Sequence, residues 1–148
     1  MGIRILVADD EELERRALKR ILGGSGHADL EVLEAANGQE ALDLAASAEL
    51  DVAFLDIRMP GLDGIEVARR LRESQPSLPL VFLTAHERFD YARSALRLRV
   101  EDFLLKPASE PEVLAALERA LGRRGPGQDG AAASSAAAGL AQWLAESL

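Results

Sequence analysis

The chain has no cysteine, two lysines and few aromatic residues, and each shortage closes off a class of function. Without thiols there is neither a disulfide framework nor a thiolate zinc site. Basic residues are also short: 25 Asp and Glu stand against 17 Lys and Arg, a formal charge of -8. That balance disfavours nucleic acid as a direct partner of the chain. No apolar run approaches the length that spans a bilayer, and the opening MGIRILVADDEE lacks the small-residue cleavage pattern of a signal peptide. A soluble, cytoplasmic protein without a membrane partner is therefore the expectation. At 148 residues the chain is long enough for one proper core and an appendage. Of its cations fifteen are arginine, and only Lys19 and Lys106 are lysine. A lysine in such a chain has a chemical reason to be one.

Five apolar runs alternate with five helical patterns. Ile3 to Ala8 reads as a first strand, and Leu13, Ala17, Leu18, Ile21 and Leu22 then recur at helical spacing until Gly23-Gly24. Leu30 to Ala36 reads as a shorter second strand. Asn37 with Glu40 makes a capping box for a helix over Gly38 to Ala48. Val52 to Leu55 is too short for a helix and suits a strand buried on both faces; Asp56 ends it, and Met59-Pro60-Gly61 breaks the chain. Asp63 with Glu66 opens a third helix that stops before Pro76. Pro79 to Thr84 is a fourth strand and Asp90 to Leu98 a fourth helix. Phe103 to Lys106 is a fifth strand, and Ser109 with Glu112 boxes a last helix to about Gly122. This order predicts an α/β fold, a parallel sheet covered on both faces through right-handed crossovers.

The strand ends carry the chemistry. Strand one ends in Asp9-Asp10, strand three in Asp56, strand four in Thr84 and strand five in Lys106, all at the carboxyl edge where open α/β sheets bind ligands. An acidic first turn without glycines rules out a dinucleotide or P-loop phosphate cradle there. The acidic pair either caps the following helix or supplies hard oxygens for Mg²⁺, and Asp56 taken alone is either a reactive carboxylate or a turn aspartate. Four strand-end polar groups on one edge are hard to reconcile with four separate structural accidents.

In this order and spacing, the acidic pair, Asp56 followed by Met-Pro-Gly-Leu-Asp-Gly, Thr84-Ala85 and Lys106-Pro107 resemble a response-regulator receiver domain of two-component signalling. The likeness runs from Ile3 to about Arg124. It implies a doubly wound, flavodoxin-like five-stranded sheet of order 2-1-3-4-5, with Asp56 as phosphoryl acceptor. By the same resemblance Asp9, Asp10, Asp56 and the main-chain carbonyl of Arg58 hold Mg²⁺, Asp10 directly. Thr84 and Lys106 would bind phosphoryl oxygens, and Thr84 with Phe103 would form the switch. A frequent cis bond at Lys106-Pro107, a sensor histidine kinase as partner and transcription regulation as output are also implied. The family commonly has glycine before the fifth strand, where this chain reads Leu98-Arg99-Val100, so a left-handed turn there is expected to be strained or absent. The stretch Phe89-Asp90-Tyr91-Ala92-Arg93 resembles receivers that precede an AraC-type output.

Two positions past Asp56 and Thr84 stand Arg58 and His86, which are expected to flank the phosphoryl group and modulate its hydrolysis. Arg93 and Arg97, facing Asp102, Glu112 and Glu118, suggest a phosphorylation-linked, two-fold homodimer through helix 4, strand 5 and helix 5. The domain organisation follows from composition: residues 1–124 as the receiver, 125–131 as a Gly-rich linker, and 132–148 as an Ala-rich tail helix or the stub of an output domain, with Leu140, Trp143, Leu144 and Leu148 on one helical face. Two rivals stay open. One is an unphosphorylated receiver-like interaction module, and the other is a Mg-dependent aspartyl phosphatase of the haloacid-dehalogenase kind, which needs an acid where this chain has Arg58.

Overall fold

The structure is a computed structural model that describes residues 2–86 and 88–123. The expected alternation is found: β1 (Ile3–Ala8), α1 (Glu12–Gly23), β2 (Leu30–Ala35), α2 (Gly38–Ser47), β3 (Val52–Asp56), α3 (Gly64–Ser74), β4 (Leu80–Thr84), α4 (Phe89–Arg97), β5 (Asp102–Leu105) and α5 (Glu110–Arg123). The strands are all parallel and lie in the order β2-β1-β3-β4-β5. The linker and tail proposed from sequence, with Trp143, lie outside the described residues.

Strand periodicity divides the core in two. Along β1, Leu6 and Ala8 point to the side of α2, α3 and α4 and pack with Leu55, Ile57, Val67, Leu71 and Phe82. Ile5 and Val7 point to the other side and meet Leu18, Leu22, Phe54, Leu83, Val113 and Leu117 under α1 and α5. Both faces being covered, β3 and β4 are buried at every residue, which is why they read as continuous apolar runs. Each such buried Leu, Ile or Phe contributes about 1.5–3 kcal/mol of burial.

The capping signals hold at atomic level. Glu40 N donates to Asn37 Oδ1 at 2.8 Å, Glu66 N to Asp63 Oδ1 at 2.9 Å, and Ser109 and Glu112 exchange both bonds of a capping box, at 3.0 and 3.3 Å. Two features refine the reading from sequence. Leu13 belongs to the helical apolar pattern of α1 but is 78% exposed, because α1 turns only Leu18, Leu22 and part of Ile21 towards the sheet. The left-handed turn before β5 is present although it has no glycine: Arg99 adopts φ 56°. It is held from outside, since the Arg72 guanidinium on α3 donates to the carbonyls of Leu98 at 2.9 Å and Arg99 at 3.4 Å, and to Pro76 and Leu78 at 2.8 Å each.

Candidate functional site

Register brings the strand ends together. Ala8 is level with Leu55, Asp56 with Leu83, and Thr84 with Leu105, so the residues that close β1, β3, β4 and β5 come to one edge of the sheet. Asp9 and Asp56 are buried at 5% and 7% exposure and Thr84 at 0%, whereas Asp10 is exposed. Asp10, Asp56, Arg58, His86, Lys106 and Pro107 line one open cleft of about 320 Å³. Arg58 and His86 thus sit where the sequence spacing puts them, exposed beside Asp56. The Lys106–Pro107 bond is cis.

Lys106 is the hub of the site. Its Nζ lies 2.5 Å from Asp9 Oδ2 and 3.6 Å from Asp56 Oδ2, with 11% of the side chain exposed. Its backbone N donates to the Thr84 carbonyl at 2.8 Å, fixing the end of β5 against β4. Burial pulls the ammonium towards release of its proton, but the hydrogen bond to Asp9 and the charges of Asp56, Asp9 and Glu14 outweigh it and hold the group above the ordinary lysine range. Asp56 is raised as well, from 3.8 up to about 6, which for a carboxylic acid favours the neutral form. Burial is the largest cause; Lys106 opposes it, Asp9 and Asp10 add to it, and a hydrogen bond from the Arg58 backbone opposes it. At neutral pH Asp56 is mostly ionised, held against its surroundings by one ammonium.

Neither residue of the acidic pair caps α1, whose N-cap position is Glu11 and carries no side-chain capping bond. Asp9 Oδ1 accepts from the Glu11 backbone N at 3.0 Å and Oδ2 takes Lys106, so both its oxygens are engaged. Asp10 has no ion-pair partner among the described residues. Carboxylate oxygens of Asp9, Asp10 and Glu11 come within 4.8 Å of one another, a hard-oxygen set of the kind Mg²⁺ takes. Glu11 was not singled out in the sequence, although the unbroken acidic run there was the available signal.

Close packing positions Asp56 from behind. Gly64 N donates to the Ile57 carbonyl at 2.7 Å, and a Cβ on Gly64 would lie 2.1 Å from the Asp56 carbonyl oxygen, so only glycine lets α3 start so near the acceptor. Thr84 Oγ1 accepts from the His86 backbone N at 3.2 Å, which ties the β4–α4 loop to the strand end. Phe103 is half-buried and packs against the core on the α4 side.

Residues 5–118 match the family described as the response regulator receiver domain. The chain belongs to that family. Response regulator MprA of Mycolicibacterium vanbaalenii is 43% identical over 136 residues, which cover 92% of this chain and 57% of that protein. The positive alginate biosynthesis regulatory protein of Pseudomonas aeruginosa is 41% identical over 119 residues, 80% of this chain and 47% of that protein. This receiver chain therefore spans about half the length of the curated relatives it matches. Among solved structures, the receiver domain protein from Clostridium thermocellum superposes with a TM-score of 0.76 at 29% identity, covering 82% of this chain and 96% of that one. Response regulator TrrA of Thermotoga maritima, solved in complex with Mg²⁺-BeF, has a TM-score of 0.72 at 33% identity, covering 80% and 99%.

Proposed function

We propose that this receiver is a phosphorylation-activated switch in which Asp56 takes a phosphoryl group from a sensor histidine kinase in a Mg²⁺-dependent reaction. The observation that carries the reading is the meeting of Asp56, Thr84 and Lys106 at one edge with Asp9 and Asp10. An ionised Asp56 oxygen attacks the phosphorus of the donor's phosphohistidine; the new O–P bond forms as the N–P bond breaks, and the imidazole leaves. Such transfer is governed by positioning and charge, because negative charge spreads over the three equatorial oxygens. Lys106 meets one of those oxygens as a compact point charge, a role poorly suited to arginine's planar fork. Asp10 and Asp56, with the Arg58 carbonyl, would hold Mg²⁺ directly and Asp9 through water, since both Asp9 oxygens already have partners. The cation would offset the repulsion between the acidic site and the incoming phosphoryl group.

Once phosphorylated, Asp56 presents an oxygen that the Thr84 hydroxyl reaches by leaving the His86 amide, and Phe103 moves into the space that Thr84 vacates. The readout face is α4, β5 and α5. Arg93 and Arg97 are exposed there and make no ion pair with an acid among the described residues. Of the acids expected opposite them, Asp102 is paired with Arg119 and Glu118 with His27 at 2.7 Å, while Glu112, whose Oε1 accepts from Ser109 N in the capping box, has no ion-pair partner among the described residues and is left to meet a second copy. We place the protein in the cytoplasm as a phosphorylation-linked homodimer controlling transcription through an output beyond the receiver, with the AraC-like Phe89–Arg93 stretch as a lead to its kind. The receiver itself does not bind nucleic acid. No helix among the described residues is long and apolar enough to cross a membrane.

Incubation with acetyl phosphate and Mg²⁺, read by intact mass, tests the reading. A stable adduct of one phosphoryl group, absent in Asp56→Asn, is the expected result. Rapid release of phosphate without an adduct would favour an aspartyl phosphatase, and no reaction an interaction module.

A further inference from the structure

Resting on the metal-site reading above, we infer that Arg15 is a positioning residue for that site: its guanidinium sets the orientation of the Asp9–Asp10 peptide and thereby the place of the Asp10 carboxylate. Arg15 Nη1 donates to the Asp9 carbonyl at 2.8 Å, and its Nε donates to Glu34 Oε1 on β2 at 3.2 Å. Only 15% of the Arg15 side chain is exposed. The Asp9 carbonyl belongs to the planar unit that carries the Asp10 nitrogen, so a donor fixed on that oxygen fixes the direction in which Asp10 leaves β1.

Residue Asp9, which leads into that peptide, is tied at its other polar atoms. Asp9 N donates to the Ala35 carbonyl at 3.0 Å, its carboxylate is divided between Glu11 N and Lys106, and Arg15 takes the remaining acceptor. Asp10, exposed and without an ion-pair partner among the described residues, has no comparable restraint of its own. Its placement comes through the backbone before it. Arg15 in turn is anchored by Glu34, whose second oxygen lies 3.7 Å from Lys19 Nζ. A chain of contacts thus runs from the edge strand β2 through Arg15 to the carboxylate that meets the metal.

The direction of the effect separates this role from simple electrostatics. A cation beside an acidic site repels Mg²⁺, so if Arg15 acted only through its charge, removing it would tighten metal binding. If Arg15 acts by position, removing it loosens binding despite the more negative site. Groups that orient metal ligands cost 10-fold to 100-fold in affinity when lost, by about that order in other sites.

Mg²⁺ titration of the whole chain, followed by amide chemical shifts in NMR, distinguishes these outcomes. Arg15→Met, which keeps the apolar stem, is expected to weaken Mg²⁺ about 10-fold or more and to shift the Asp10 amide before any metal is added. Arg15→Lys keeps the charge but offers one ammonium for two acceptors on opposite sides; it should weaken binding at least several-fold, and it decides the matter if Arg15→Met does not fold. Unchanged or tighter Mg²⁺ binding in a folded Arg15 variant, whatever its melting temperature, overturns the inference. Asp10→Ala serves as the control. If that variant binds Mg²⁺ as the native chain does, the metal site has been misplaced and the role of Arg15 falls with it. If it loses binding while Arg15→Met and Arg15→Lys keep theirs, the site stands and only the positioning role fails.

Discussion

Replacing Asp56 with asparagine should make the metal-free protein more stable, although it removes the residue on which the proposed activity depends. Asp56 is raised from 3.8 to about 6, chiefly by burial. The native state therefore keeps a proton on this group up to about pH 6, whereas the unfolded chain gives it up near the ordinary value. Relative to a neutral side chain of the same shape, Asp56 costs nothing below about pH 4, and stability is lost as pH rises through about 6. The difference of about two pH units, at about 1.4 kcal/mol each, puts the cost near 3 kcal/mol above pH 7. With only 8% of the side chain exposed, solvent screening takes little from that figure. For a domain of this size it corresponds to roughly a 10 °C rise in Tm for Asp56→Asn. Thermal melts of both proteins in EDTA from pH 4 to 8 provide the assay: the two curves should coincide near pH 4 and separate through pH 6. Millimolar Mg²⁺ should narrow the gap, since binding favours the native state that keeps the carboxylate. A variant no more stable than the native protein at pH 7.5 without metal, or a gap that does not change with pH, would refute the reasoning.

Arg99→Gly should stabilise the domain by roughly 0.5–1 kcal/mol in denaturant titration, because it relieves the left-handed backbone and gives back part of the gain as chain entropy; a loss of stability would mean the Arg99 side chain holds a contact that matters. Gly64→Ala should cost roughly 2–3 kcal/mol and slow phosphorylation, since its Cβ must displace the Asp56 backbone; a native-like melt would show that α3 shifts freely. The proposed dimer should weaken as salt rises from 0.05 to about 0.5 M, since the proposal builds it on exposed Arg93 and Arg97; light scattering that finds a monomer at high concentration in both phosphorylation states would remove it. Phosphate loss from Asp56 should be slow and should quicken in both Arg58→Ala and His86→Ala, since both side chains crowd the cleft from which water attacks; slower decay in His86→Ala would instead make His86 a base.

What the sequence revealed and what it hid have separable physical causes. Strand and helix periods, and the capping pairs Asn37/Glu40, Asp63/Glu66 and Ser109/Glu112, are decided within a few residues and were legible, with boundaries off by one at β2, α2, β4, α4 and β5. The sheet order is not local, and it came from the resemblance. Strand-end placement was legible because a parallel sheet sends every carboxyl end to one edge, so Asp9, Asp56, Thr84 and Lys106 could be grouped before their register was known. The exposure of Leu13 was not legible, because helical spacing records which residues share a face but not how far round the helix the sheet reaches.

The harder cases are arginines. In a chain that uses fifteen of them, one more at helical spacing reads as a solvated face, yet two act as clamps on backbone carbonyls. Arg15 reaches six residues back to Asp9, while Arg72 reaches 26 and 27 residues on to Leu98 and Arg99. No local pattern marks such a partner, because a carbonyl has no residue type. The consequence at Arg99 is instructive: the missing glycine suggested that the turn before β5 would be strained or absent, but the Arg72 fork meets both carbonyls that the turn turns outward. Hydrogen bonds from a charged donor contribute about 1.5–3 kcal/mol each, enough to offset the roughly 1–2 kcal/mol of a left-handed non-glycine residue. Residue type at the turn therefore sets the cost of the conformation, and a side chain on another helix decides whether it forms.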